Sequence, residues 1–321
     1  MKISVLGCGR WGAFIAWYLN KVGHEVMSWG LPDSPHLKEL KETRQNGMLT
    51  FPDSLMISDD LEEAVTRAEI IVISISSQAL RSFLSDVKNF DLTGKSFVLC
   101  MKGIEEGTGC RLTQVVGEVL GEIPVAVWVG PGHPQNFVAG VPNCMVIDSA
   151  YPELKQKLVA EFSSSLIRFY LGTDLIGSEV GAAAKNVVGI AAGMLDGMGY
   201  ACLKGALMSR GTHEVGKLIK AMGGSEYSAY GLCHLGDYEA TLFSKFSHNR
   251  MFGETFVRGE PYTQLAEGVA TCRALVSLSH KYGVEMPIVN AVRALLAGEV
   301  DGKKALDELF SRSVKREFDF M

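Results

Sequence analysis

Gly7-Cys8-Gly9-Arg10-Trp11-Gly12 follows directly on the apolar run Lys2 to Leu6 and opens the amphipathic segment Trp11 to Val22. Few sequence features restrict a fold so tightly. A tight strand-to-helix turn needs glycine at the first position, approach of a ligand to the backbone needs it at the second, and close packing of helix on strand needs it at the third. The free N–H groups and positive dipole end of the following helix then suit a diphosphate. By itself the G-x-G-x-x-G pattern is weak. Here a second strand-like run, Glu25 to Trp29, completes the βαβ context that the pattern requires, and a dinucleotide-binding fold follows.

Further β-rich runs alternate with helical ones: Ile70 to Ile75, Ser96 to Met101, Val125 to Val129, Cys144 to Ile147 and Ile167 to Tyr170, with helices expected at Leu61 to Arg67 and Gln78 to Leu84. Alternation of this kind marks a parallel sheet. From about Asp174 the strand pattern stops. Helical periods follow at Ile176 to Leu195, Ala206 to Met222, Tyr262 to Tyr282, Pro287 to Leu296 and Gly302 to Phe310. The expected fold class is α/β, a Rossmann-type doubly wound sheet over residues 1–173 followed by an all-α C-terminal domain over residues 174–321. A chain of 321 residues is long enough for two such domains.

A formal charge of -5 argues against nucleic acid as a partner, since the phosphate backbone calls for a concentrated basic surface. Seven scattered cysteines, none in a C-x-x-C pair, indicate neither a zinc site nor a disulfide framework, so no metal is expected. Met1 leads straight into the first strand without the apolar core of a signal peptide. The expected compartment is the reducing cytoplasm, with no insertion into a membrane.

The polar residues that break these patterns are the candidates for chemistry. Lys185 and Asn186 are the only polar side chains between Val180 and Leu195. A helix apolar on every side is normally buried, and a buried ammonium must find a partner or lose its charge, which makes Lys185 a candidate acid or base. The bland alternative is a lysine whose stem packs inside while its head reaches water. Lys102 stands at the C-terminal end of an expected strand, where an open α/β sheet binds ligands, as does the loop Gly130-Pro131-Gly132-His133-Pro134. A solvated loop lysine is the alternative for Lys102. In the helical half, Ser247-His248-Asn249-Arg250 assembles donors for a phosphate or carboxylate, or else supplies ordinary helix caps. The second strand ends in Trp29-Gly30-Leu31-Pro32-Asp33, without the acidic residue that usually meets the ribose hydroxyls of NAD. NAD and NADP both stay open, and the missing carboxylate inclines the choice to NADP.

Taken together, these segments resemble the bacterial, soluble NAD(P)-dependent sn-glycerol-3-phosphate dehydrogenases. The resemblance runs from Lys2 to about Leu296. It is carried by Gly7 to Gly12, Lys102-Gly103-Ile104-Glu105, Lys185-Asn186-Val187, Asp196-Gly197, Ser209-Arg210-Gly211, Leu235-Gly236-Asp237, Asn249-Arg250-Met251-Phe252-Gly253 and Glu267-Gly268. It implies reversible reduction of dihydroxyacetone phosphate to sn-glycerol 3-phosphate with NAD or NADP, a product that feeds phospholipid synthesis, and a homodimer. Lys185 is then the proton donor and acceptor, with Lys102 and Asp237 holding the substrate and the lysine. The resemblance places Lys102, Gly130, Gly132, Lys185, Asp237, Ser247, His248 and Asn249 against the substrate. It places Gly7, Gly9, Arg10, Trp11, Gly12, Leu31, Lys102, Pro134, His248, Leu265 and Glu267 against the cofactor.

Three departures from the family pattern bear on the substrate. Gly132 stands where the family carries Ser or Thr, and His248 stands where it carries an arginine able to fork onto a phosphate. The stretch Gly199 to Gly205 is one residue short and lacks the usual asparagine; Lys204, His133 and Arg250 are the expected sources of replacement charge. These departures leave two alternatives: a related two-domain dehydrogenase for another small hydroxy acid or sugar phosphate, and a non-catalytic dinucleotide-binding regulator.

Overall fold

In the computed structural model, which describes residues 1–314, 316 and 317, eight strands form one sheet in the order β3-β2-β1-β4-β5-β6-β7-β8. Along the chain run β1 (Lys2–Leu6), α1 (Arg10–Lys21), β2 (Glu25–Trp29), α2 (Pro35–Thr43), β3 (Met56–Ser58), α3 (Leu61–Thr66), β4 (Ile70–Ile73), α4 (Leu80–Val87) and β5 (Ser96–Leu99). They are followed by α5 (Leu112–Leu120), β6 (Val125–Val129), α6 (Pro134–Val138), β7 (Asn143–Ser149), α7 (Pro152–Phe162) and β8 (Ile167–Leu171). All neighbouring strands are parallel except β6 and β7. Helices cover both faces, so the strands read as continuous apolar runs rather than alternating ones. In β4, Ile70 and Val72 join the core on one face with Phe14 and Trp128, while Ile71 and Ile73 join the other with Phe97 and Leu99.

The order reverses direction between β1 and β4, and the crevice beyond the ends of those strands is where such sheets take their ligands. A short edge strand, β3, and the helices α2, α5, α6 and α7 were not apparent from sequence periods.

The helical half contains α8 (Leu175–Gly197), α9 (Lys204–Ala221), α10 (His248–Arg258), α11 (Gly268–Tyr282), α12 (Pro287–Leu296) and α13 (Gly302–Phe310). Nineteen residues of the 23-residue α8 are buried, because α9, α10, α11 and α12 all pack around it. That central position explains an apolar helix with no wet face. None of the helices among the described residues is long and apolar enough to cross a membrane. The closest packing is against α10: a Cβ at Gly193 would lie 1.9 Å from the Arg250 carbonyl oxygen.

One expected helix starts late. Residues 262–267 are not helical, and α11 begins at Gly268, because Tyr262 and Glu267 are engaged elsewhere: Tyr262 with His248, and Glu267 with the backbone N–H of Ser77.

Candidate active site

The glycine turn has the geometry that a dinucleotide needs. Gly7 has φ +112°, outside the range of ordinary L-residues, and a Cβ there would lie 2.2 Å from the Ser74 carbonyl oxygen at the end of β4. At Gly12 a Cβ would stand 1.9 Å from the Gly7 carbonyl oxygen, so helix and turn are pressed together. Gly9 is the opposite case: a Cβ would meet nothing within 4 Å. Gly9 also precedes α1 without a side-chain cap, and no acidic residue stands in the first turn, which leaves the helix's leading N–H groups and dipole available to a diphosphate. These residues fit a dinucleotide. Leu31, 64% exposed, lies just past β2, and Leu265, 66% exposed, lies on the segment before α11. Pro134 is the buried first residue of α6, and Trp11 packs on Phe14 and Phe137.

Three residues singled out far apart in the sequence meet at the junction of the two halves. Asp237, fully buried, accepts bonds at one oxygen, Oδ2, from Lys102 Nζ at 2.6 Å and Lys185 Nζ at 2.9 Å. Lys102 also donates to the Gly130 carbonyl at 2.7 Å. Lys185 is 8% exposed and donates to Thr241 Oγ1 at 2.8 Å. Burial lowers its pKa to about 8; Asp237 works against that shift, and the charge of Lys102 adds to it. The ammonium of Lys185 therefore does not snorkel. It is held inside, poised between its two protonation states near neutral pH.

Two further members of this cluster, Thr241 and Asn186, had no role assigned to them from sequence. Thr241 donates back to the Asp237 carbonyl at 2.7 Å from a single π-helical turn, Glu239–Phe243, and so fixes the oxygen that receives Lys185. Its signal was the spacing of four residues from Asp237. Asn186, next to Lys185, donates to the Lys102 carbonyl at 3.1 Å and ties α8 to the β5 end. Lone π turns often mark functional sites.

A second group gathers near the start of α10. Ser247 is an ordinary N-cap, its Oγ accepting from Arg250 N at 3.3 Å. Asn249 accepts from Gly268 N at 2.9 Å, which turns the side chain but leaves its amide nitrogen without a protein partner among the described residues. His248 Nδ1 shares a 2.7 Å hydrogen bond with the Tyr262 hydroxyl; burial, and then the nearby charge of Arg10, lower its pKa. Glu267 accepts from Ser77 N at 2.8 Å, and its burial pushes the carboxyl pKa up. This group thus spans both halves of the molecule.

The expected replacement charges are otherwise employed. Lys204 is bound to Asp196 at 2.6 Å and to the Leu242 carbonyl at 2.9 Å; Arg250 is bound to Asp196 and Glu254, each at 2.8 Å. His133 Nε2 donates to the Ala240 carbonyl at 2.7 Å, and burial lowers its pKa to about 4, so the ring is neutral. Gly132 is no simple loss of a hydroxyl. Its φ is +136°, and a Cβ would lie 2.4 Å from the Phe137 ring, so this loop has no room for serine.

Two family models match the chain: that of the NAD-dependent glycerol-3-phosphate dehydrogenase N-terminus over residues 2–155, and that of its C-terminus over residues 174–307. Curated glycerol-3-phosphate dehydrogenases (NAD(P)+) from Pelodictyon phaeoclathratiforme and Chlorobium phaeobacteroides are each 37% identical to it, with coverage of 99% and 100% of this chain and 100% of each relative. A crystal structure of glycerol-3-phosphate dehydrogenase from Coxiella burnetii superposes with a TM-score of 0.90 at 28% identity, over 97% of this chain and 99% of that one.

Proposed function

Because the chain belongs to the NAD-dependent glycerol-3-phosphate dehydrogenase family, we propose that it interconverts dihydroxyacetone phosphate and sn-glycerol 3-phosphate with NAD or NADP. The observation that carries this reading is the buried Lys185, bonded to Asp237 and Thr241 and tuned to about 8. The cofactor, when bound, supplies or takes up the hydride. The chain does the rest. Gly7, Gly9, Gly12 and the N-terminus of α1 hold the diphosphate, with Arg10, Trp11, Leu31, Pro134, Leu265 and Glu267 along the remainder of the dinucleotide. Lys102 and Lys185 stabilise negative charge developing on the ketone oxygen, and Lys185 gives it a proton. In the reverse direction the neutral amine of Lys185 takes that proton back. Asp237 keeps two like charges together in a buried site; Thr241 and Asn186 set the angle and separation.

For the substrate's phosphate we assign the N-terminal turn of α10, with Ser247, His248 and Asn249, where the first-turn N–H groups that the Ser247 cap does not use and the helix dipole favour an anion. A neutral imidazole there is a weaker anchor than a guanidinium fork. His248→Arg is therefore expected to lower KM for dihydroxyacetone phosphate several-fold with little change in kcat. Steady-state kinetics decide, and an unchanged or higher KM removes His248 from the phosphate site.

Lys185 also fixes the expected pH dependence. Reduction needs the ammonium and should fall as pH rises through about 8; oxidation needs the neutral amine and should rise through the same range. Paired pH–rate profiles check this, and limbs running in the same direction would contradict it.

The founding assay follows oxidation of NADH and of NADPH with dihydroxyacetone phosphate. Turnover with at least one is expected, with NADPH favoured because no carboxylate stands at the tip of β2. Tight cofactor binding without turnover would sink the reading in favour of a dinucleotide-binding regulator. The proposal extends to a cytoplasmic homodimer whose product enters phospholipid synthesis; that extension rests on the family alone.

A further inference from the structure

Ser209-Arg210-Gly211 is a motif that the lysine cluster does not use. It lies on α9, and Arg210 lines a cavity of about 850 Å³ to which no residue of that cluster contributes. Ligand sites in proteins commonly measure about 300 to 1,000 Å³. One wall is apolar: Met194 and Leu195 from the second half of α8 and Met198 just past its end face Val292 and Leu295 of α12. On α9, Leu207, Arg210, Glu214 and Lys217 recur every three or four residues, so a single helical stripe carries both apolar and charged groups to the cavity.

The charges on that side are asymmetric. Arg210, Lys217, Arg312 and Arg316 line it against Glu214, Glu285 and Glu317. Two of the three carboxylates are already engaged. Glu214 accepts from the backbone N–H groups of Ile288 and Val289, at 2.9 and 3.0 Å, and so caps α12; Glu285 pairs with Arg312 at 3.0 Å. Among the described residues Arg210 donates to a backbone oxygen, that of Glu317, at 3.2 Å, and its charge also reaches Glu214. With Arg312 spent on Glu285, the cations left on this rim are Arg210, Lys217 and Arg316, against Glu317 and the capping Glu214, beside an apolar trough.

We propose that this cavity binds a fatty carboxylate, its chain laid along the α8 and α12 wall and its head group held by Arg210 and Lys217. An arginine fork matches a carboxylate, and buried methylenes supply affinity in proportion to chain length. Neither contribution depends on the dehydrogenase reaction, so the inference stands or falls separately from it.

The test is calorimetric titration of the full-length protein with octanoate, decanoate and dodecanoate below their micelle concentrations, and with dodecyltrimethylammonium as a cationic control. One site is expected, tightening about tenfold for every two methylenes buried, with no saturable binding of the cation. Reversing both rim charges, Arg210→Glu with Lys217→Glu, should weaken dodecanoate at least tenfold. Ala291→Trp, which fills the trough from α12, should abolish binding while cofactor affinity and Tm persist. Equal binding of the cation, no dependence on chain length, or indifference to both variants overturns the proposal. Self-association that Ala291→Trp abolishes, with no carboxylate bound by the parent protein, assigns the face to a second copy and also overturns it. Binding that arises only after removal of residues 318–321 overturns it in favour of the chain's own end.

Discussion

Lys185→Ala is expected to lower kcat by about a hundredfold or more, with cofactor affinity nearly unchanged. The two halves of that expectation have separate origins. Loss of a positioned acid or base typically costs about 10² to 10⁴ in rate, and in the proposed reaction the same side chain also provides positive charge beside the reacting oxygen. Among the described residues no hydrogen bond or ion pair joins the turn between β1 and α1 to Lys185, whose partners are Asp237 and Thr241. Folding should survive, because alanine suits a central helix already rich in alanine, and Asp237 retains Lys102 at 2.6 Å. Stopped-flow and steady-state kinetics with a cofactor titration separate the two effects. A variant with near-normal kcat removes Lys185 from the chemistry; one that loses cofactor binding as well points to a misassembled junction instead.

What could be read from the sequence was what is encoded locally. The turn from Gly7 to Gly12 carries its own steric requirements, so its residues announce the βαβ unit without help from distant parts of the chain. Lys185 was legible for the opposite reason, as a charge that nothing nearby could justify. The helix α10 was read only at its start, as the polar run from Ser247 to Arg250, because its apolar residues Met251, Phe252, Phe256 and Val257 make a short period broken by Gly253, where a Cβ would lie 2.1 Å from the Ile190 carbonyl oxygen of α8. Backbone contact of that kind replaces part of the apolar face by glycine and so shortens the period that marks a helix. Thr241 escaped for a related reason. Its task depends on a π turn, and nothing in Glu239-Ala240-Thr241-Leu242-Phe243 distinguishes that turn from an ordinary helical one. The segment from Tyr262 to Glu267 looked helical because its bonds to His248 and Ser77, which hold it out of a helix, are remote in sequence.

Asp237→Asn should reduce activity in both directions, but unequally, and the inequality identifies its role. The native carboxylate accepts both lysines at a single oxygen, while its other oxygen, Oδ1, is buried without a hydrogen-bond partner among the described residues. An amide keeps the shape and removes the charge. Lys185 and Lys102 then face each other in a buried site without compensation, and the influence that raises the pKa of Lys185 is lost while burial continues to lower it. Its pKa therefore falls below about 8. At pH 8 most of the ammonium needed for reduction is gone, so kcat for ketone reduction should drop by tens-fold or more, and its alkaline limb should move to lower pH. Oxidation uses the neutral amine, which becomes more abundant, so its loss should be smaller and its acid limb should move the same way. Paired pH profiles of the variant measure both displacements. Equal losses with unmoved limbs would leave Asp237 as a mechanical support for the two lysines and assign the tuning of Lys185 to burial alone.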